Sequence, residues 1–186
     1  VSYNDVVGVM KGSDRTNVAG SVFASYRNNK FKFRNELSVN MNKSNDSPYG
    51  SFAEYSKLNP YWSPVDEYGQ IAKNAGDEEA FYGNPLYNAT LNTKDETAYT
   101  EIRDNFSMDW SISKAFRAVG SFSFTRQESG SDVFYPASHT KFAKYDENGM
   151  SDRKGEYTKG DGSSQTVSVQ AGLNFNKTFG EHLLFA

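Results

Sequence analysis

The most regular feature of this sequence is an alternation of apolar and polar residues. In Phe31–Met41 the odd positions are apolar except Asn35, and the even positions are all polar or charged. A strand sorts alternate residues onto two faces, whereas a helix scatters them around its axis. The pattern recurs in Ile102, Phe106, Met108, Trp110 and Ile112 against Arg103, Asn105, Ser107, Asp109 and Ser111, with Asp104 the exception. It recurs again in Phe116, Ala118, Gly120, Phe122 and Phe124, with Val119 out of phase, and in Val167, Val169, Ala171, Leu173 and Phe175. Val18–Tyr26 is a weaker case, because Phe23 falls on the otherwise small, polar face. The spacing predicts antiparallel hairpins from 18–27 with 30–42 and from 101–113 with 116–127. A third begins at 164–177, and His182 onward opens a sixth strand.

The connections predict how these hairpins are arranged. Asn28-Asn29 joins the first pair, and Asn tolerates the positive φ of a tight turn. Ser113-Lys114-Ala115 joins the second, and Lys177-Thr178-Phe179-Gly180 follows the fifth strand. Between the hairpins lie long segments, 44–100 and 128–163, rich in Gly, Pro, Asn, Asp and Ser, the residues of turns and loops. Loops of that length are uncommon in compact domains. Crossing an apolar band of about 25 Å at about 40° takes a path of roughly 33 Å, or ~10 residues of strand. The patterned runs have about that length. The expected fold is therefore all-β: an antiparallel meander of long strands forming an open, curved section of a transmembrane β-barrel with long extracellular loops. The competing reading of the pattern is a water-soluble antiparallel sheet with one wet face.

Composition narrows the picture. The chain has 186 residues, no cysteine and a formal net charge of −3. Without cysteine there are no disulfides, thiolate metal sites or cysteine nucleophiles. A near-neutral chain lacks the basic surface a general nucleic-acid binder needs. Aromatic residues make up 15% of the chain, too many for simple disorder. No run approaches the ~20 apolar residues of a membrane helix, which leaves transmembrane strands open. Val1-Ser2-Tyr3-Asn4-Asp5 has no basic segment followed by an apolar stretch, and Leu183-Leu184-Phe185-Ala186 stops while turning apolar. The chain is expected to be a piece of a longer protein.

Ser47-Pro48-Tyr49-Gly50-Ser51-Phe52, then Tyr55, then Asn59-Pro60-Tyr61-Trp62, resembles the SusC/RagA family of TonB-linked outer-membrane transporters. So do Gly8-Val9-Met10-Lys11-Gly12-Ser13 upstream and Asn84-Pro85-Leu86-Tyr87-Asn88-Ala89 downstream, together with the strand carrying Asn105, Phe106, Asp109 and Trp110. The resemblance covers most of the chain, residues 1–186, as a partial barrel that corresponds to a middle segment of the family pattern. It implies a large barrel filled by an N-terminal plug that this chain does not carry. It also implies location in the outer membrane among membrane lipid, and uptake of oligosaccharides or peptides driven by the TonB complex. A SusD-like surface lipoprotein would close over the mouth.

Candidate chemistry is sparse. His139 and His182 lie on different elements without a spaced second ligand, so no metal site is expected. Asp146-Glu147-Asn148-Gly149 resembles a calcium loop only faintly, since Met150 stands where an oxygen ligand belongs, and it reads as a turn. Asp77-Glu78-Glu79 reads as a solvated acidic face. Four Asn-x-Ser/Thr sequons, at Asn42, Asn88, Asn105 and Asn176, read as chance in a chain rich in these residues. No Ser/His/Asp arrangement is recognisable and no cofactor motif is present, so an enzyme is not expected. Tyr49, Phe52, Tyr55, Tyr61 and Trp62 are candidate substrate-binding residues, stacking on a glycan or peptide; the alternative is that they pack their own loop. The same loop, 47–62, would serve a secreted or surface β-sheet module of lectin or adhesin type. Lys32, Arg34, Glu36, Arg103, Asp109 and Arg117 on the polar strand face would line a barrel lumen.

Overall fold

The computed structural model describes residues 1–75, 82–147, 149 and 151–185. A single antiparallel sheet of seven strands dominates it. β1 is Ser2–Val7, β2 Asp14–Arg27 and β3 Phe31–Asn45. A two-stranded ribbon in the following loop supplies β4 (Asn74–Ala75) and β5 (Tyr82–Gly83). β6 is Lys94–Ser111, β7 Phe116–Tyr135, β8 Glu156–Phe179 and β9 His182–Phe185. The sheet order is β1-β2-β3-β6-β7-β8-β9, a meander in which each strand lies beside the strands next to it in the main chain path. β1 and β9 are its edges, so the sheet is open and not closed into a barrel.

The first two predicted hairpins form, with Tyr26 opposite Phe33 and Ser107 opposite Ser121, β8 pairs with β9 as the third, and the meander sets β8 beside β7 with Phe122 opposite Val169. β9 begins at His182 as expected. Directly paired residues of antiparallel strands share a face. One face therefore carries Val22, Leu37, Phe106, Phe122 and Val169, and the other carries Arg34, Glu36, Arg103, Asp109 and Arg117. Phe33 and Phe106 meet edge-on on the first face, with ring centroids 4.8 Å apart. The two polar exceptions in the apolar pattern also meet there: Asn35 Nδ2 donates to Asp104 Oδ1 at 2.5 Å. The opposite face is organised by ion pairs, Arg34 with Glu36, Arg103 with Glu101 and Arg117 with Asp109.

The strands are longer than their hydrophobic pattern. β6 starts at Lys94 rather than 101, β7 runs to Tyr135 rather than 127, and β8 starts at Glu156 rather than 164. Beyond Met41, Ile102, Phe124 and Val167 polar residues occupy both faces up to Val133–Tyr135 at the end of β7, so the ladder continues with no period in hydropathy to reveal it. On the formerly apolar face this outer part carries Lys43–Glu96, Lys94–Asp132 and Arg126–Glu128 ion pairs. Gly160 and Gly162, which by composition belong to a loop, sit inside β8 because the hydroxyls of Ser131 and Ser129 opposite them fill the space of a Cβ. β1 was not predicted, since Ser2–Val7 lacks the alternation.

The apolar band crosses the ladder obliquely. Met41 is level with Thr100, Glu128 and Ser163 along the register, yet the band ends on β8 at Val167. That is a step of roughly 13 Å along the strand over roughly 14 Å of sheet width, a slant of roughly 40°. Among the described residues no second layer covers the band: Val22 is 73%, Leu173 60% and Val169 70% exposed. Among the described residues the buried apolar side chain is Phe142, in the third of the long connections.

The two ends of the sheet differ. At one end the turns are short. Asn28 makes the first, but through its side chain: Oδ1 accepts from the amides of Lys30 (2.9 Å) and Phe31 (2.8 Å). No described non-glycine residue has positive φ, so the expected left-handed Asn is replaced by this side-chain-capped turn. Ser113 Oγ does the same for Ala115 and Phe116. Gly180, at φ 60°, turns β8 into β9. At the other end lie residues 8–13 and the described parts of 46–93 and 136–155.

Candidate functional site

These three outer connections are built from local capping signals and then tied to one another. Ser51 caps the short helix α1 (Phe52–Tyr55) in a reciprocal box with Glu54. The Ser51 amide, then its hydroxyl, hold the Glu54 carboxyl below the usual carboxylate range. Asn84 caps α2 (Pro85–Asn88), whose first residue is the proline that suits that position. Asn84 is 2% exposed. Its Nδ2 donates to the carbonyls of Pro64 (2.8 Å) and Ala72 (2.6 Å), and its Oδ1 accepts from Leu86. This polar anchor gives the long loop its shape without an apolar core.

Asn88 then joins the second and third connections. Its Nδ2 donates to Thr140 Oγ1 at 2.7 Å, and its Oδ1 accepts from the Thr140 amide at 3.2 Å. Beside this clasp, His139 Nδ1 accepts from the Lys141 amide and caps the turn Thr140–Phe142. Burial, then the Lys141 charge, keeps the imidazole below its ordinary pKa. Tyr135 donates to Asp95 Oδ2 at 3.0 Å. Burial, then Asp95 as hydrogen-bond acceptor, pushes its hydroxyl up to about 12. The first connection is tied in by Ser47 Oγ, which donates to the Lys11 carbonyl at 2.7 Å, and by Pro48, packed against the glycine turn at Gly12 (φ 81°). Here glycine is required twice, by its φ and by the nearness of Pro48 Cδ.

Between the three connections lies an open cleft of about 1400 Å³. Val9 and Met10 line it from the first; Pro48, Tyr49 and Asn88 from the second; His139 and Tyr145 from the third, beside Tyr135 at the end of β7. The three segments Gly8–Ser13, Ser47–Trp62 and Asn84–Ala89 thus converge on one end of the sheet.

The five aromatic candidates do not converge. Tyr49 lines the cleft, with Lys11 Nζ 6.0 Å from its ring centroid. Phe52 (60%), Tyr55 (45%) and Tyr61 (93%) are exposed and stand outside the lining. Trp62 packs on Tyr82, with ring centroids 4.8 Å apart. Asn84, Asn88, Tyr135 and Thr140 were not foreseen as parts of a site. The Asn-Pro start of α2 was the one available signal.

Asp146 and Glu147 end the helix α3 (Lys144–Glu147), and Gly149 has φ 68°, as in a turn; Asn148 and Met150 lie outside the described residues. The acidic run Asp77-Glu78-Glu79 also lies outside them. His139 and His182 are on separate elements, and no group of three or more His, Asp or Glu among the described residues is placed to hold a metal ion. Comparison with protein-family models and with curated proteins gives no match for this chain.

Proposed function

We propose that this chain is part of the wall and outer loops of a TonB-dependent outer-membrane transporter that imports oligosaccharides or peptides. The observation that carries the reading is the bounded apolar band on an uncovered sheet face. Its slant of roughly 40° agrees with the 35–45° tilt of transmembrane strands. On Phe31–Met41 the band spans a path of roughly 33 Å, or roughly 25 Å in height at that tilt. Above it the same face carries Lys43, Glu96, Lys94 and Asp132 in ion pairs, which suit water or headgroups and not hydrocarbon. Tyr26, Phe31, Trp110, Phe116 and Phe175 gather at the short-turn end, where an aromatic girdle belongs. The polar face, with Arg34, Arg103 and Arg117, suits a lumen. In this reading membrane lipid surrounds the band, and a plug and the TonB contact come from chain outside this segment. A SusD-like lipoprotein meets the long-loop end.

The test is labelling from lipid. A membrane-partitioned photoprobe should mark Phe122 and Leu173 and spare Ser123 and Asn174. Phe122→Arg and Leu173→Arg should each cost roughly 2–4 kcal/mol and impair assembly more than Ser123→Arg and Asn174→Arg. Folded protein unlabelled at both pairs would mean that this face is covered by protein, and the soluble binding-module reading would replace this one.

A further inference from the structure

We infer that the short-turn end of the polar sheet face is a docking point for an acidic polypeptide segment, whose Asp or Glu side chain enters a hollow beside Lys30 and Lys32. The inference rests on the transporter reading for one thing, that the polar face is turned to the interior of the wall. The hollow has a volume of about 200 Å³, and its lining includes Asn29, Lys30, Lys32, Asp109, Ser111 and Arg117. It lies in a strongly basic part of the molecule. Residues 26–36, 109–117 and 174–182 hold seven Lys and Arg against three Asp and Glu, in a chain of net charge −3. Two of those carboxylates are already engaged: Glu36 pairs with Arg34 at 3.5 Å, and Asp109 accepts from Arg117 Nε at 2.8 Å and from its Nη2. The third, Glu181, follows Lys177 at the end of β8, two strands away from Asp109. Lys32 is directly opposite Asp109 in the register, yet Arg117 takes that carboxylate from β7. On its other side Lys32 is directly opposite Arg27. Like charges so placed destabilise a strand pair. Among the described residues no carboxylate lies within ion-pair distance of Arg27, Lys30 or Lys32. A carboxylate arriving between them replaces that repulsion with attraction.

The position of the hollow decides which anion fits. Lys32 and Arg117 belong to the face that carries Arg34 and Arg103, whereas Phe31 and Trp110 belong to the opposite, apolar one, so a lipid headgroup approaches the wrong side. A free ion is a weak occupant as well. The Arg117 side chain is 54% exposed, and single ion pairs in contact with water contribute little. A segment of the same polypeptide, from outside residues 1–186, escapes that limit. Its tether holds it at high effective concentration, and a weak pair then adds to contacts made elsewhere. The hollow is smaller than the roughly 300–1,000 Å³ of small-molecule sites, and so takes the end of a side chain. The rest of the face supports this choice of place. On β7 from Val119 to Val133, and on β8 from Thr158 to Asn174, the residues on the polar face are uncharged, mostly Ser, Thr, Gln and Gly. Along those stretches of the wall there is no charge to hold an acidic segment.

The experiment is photocrosslinking in the full-length protein, folded in lipid vesicles. Asn29→p-benzoylphenylalanine carries the probe, because Asn29 lines the hollow while the turn itself is held by Asn28. Irradiation should join position 29 to a peptide of the same polypeptide outside residues 1–186, with an Asp or Glu within a few residues of the joined site. Lys30→Gln together with Lys32→Gln should lower the yield about fivefold or more. Lys114→Gln, at a neighbouring turn and outside the lining, should change it less than about twofold. Amide replacement of the mapped carboxylate should lower the yield as much as the lysine pair does, and the combination should lower it no further, since both remove one interaction. In folded protein, no crosslink, a join within residues 1–186, to lipid or to another protein, a yield unchanged by the lysine pair, or losses that multiply on combination would each overturn the inference. Lipid labelling at Phe122 and Leu173 in the same preparation separates the two readings. Labelled protein without the crosslink refutes this inference alone, and unlabelled protein that gives the crosslink refutes the membrane reading alone.

Discussion

The hydrogen bond between Asn35 and Asp104 offers a measure of the medium outside the sheet. The two side chains lie near the middle of the apolar band, Asn35 on β3 between Phe33 and Leu37, Asp104 on β6 between Ile102 and Phe106. Asn35 Nδ2 is 2.5 Å from Asp104 Oδ1 and 3.4 Å from the Asn105 carbonyl. If water covers this face, such a cross-strand pair is worth about 0.2–1 kcal/mol. If hydrocarbon covers it, the Asp104 carboxyl has no substitute partner, and losing the hydrogen bond costs about 2–3 kcal/mol. Asn35→Leu should then destabilise by about 2–3 kcal/mol. Asp104→Leu should cost about 1 kcal/mol or less, because the remaining amide keeps its longer contact to Asn105 and the new side chain suits lipid. The double variant should return to wild-type stability or above it, as paired replacement of buried polar partners by apolar ones often does. The coupling energy from the cycle should therefore be about 2–4 kcal/mol. Urea unfolding of the full-length protein in lipid vesicles measures it. A coupling below about 0.5 kcal/mol in folded protein would refute the assignment of this band to lipid.

Two further outcomes follow from the loops. Tyr135 should titrate near 12, so the ultraviolet phenolate signal should contain one late tyrosine that Tyr135→Phe removes. Because its folded pKa lies above the unfolded value of about 10, its contribution to stability is complete below pH 10 and is lost as pH rises from there to about 12. Asn88→Ala should remove both hydrogen bonds to Thr140 and cost the loop contact about 1–3 kcal/mol, seen as faster proteolysis within 84–93 and 136–155 with the sheet's urea midpoint unchanged. An unchanged cleavage pattern would mean that this clasp does not join the loops.

Within the apolar band the sequence by itself determined strand, partner and face, because a strand that buries or wets its two sides unequally must alternate. Phe31–Met41 and Phe116–Phe124 are legible for that reason. The same rule fails where both sides meet one medium. Lys94–Thr100 and Glu156–Gln165 are strands with no apolar face, and their ladder hydrogen bonds leave no trace in residue type; only pairing with their neighbours decides them. Asn35 and Asp104 were visible singly as exceptions, and only the register of β3 against β6, strands separated by the whole 46–93 loop, makes each the other's partner. The site was legible even less. Tyr49, Phe52, Tyr55, Tyr61 and Trp62 share a loop and one chemical character, yet tertiary structure turns Tyr49 to the cleft, packs Trp62 on Tyr82 and leaves the other three outside. Asn88 and Thr140 come from separate loops, and nothing in either local sequence encodes their meeting. A contact between distant loops is specified by the geometry of the strands that carry them, and that geometry exists only once the sheet has formed.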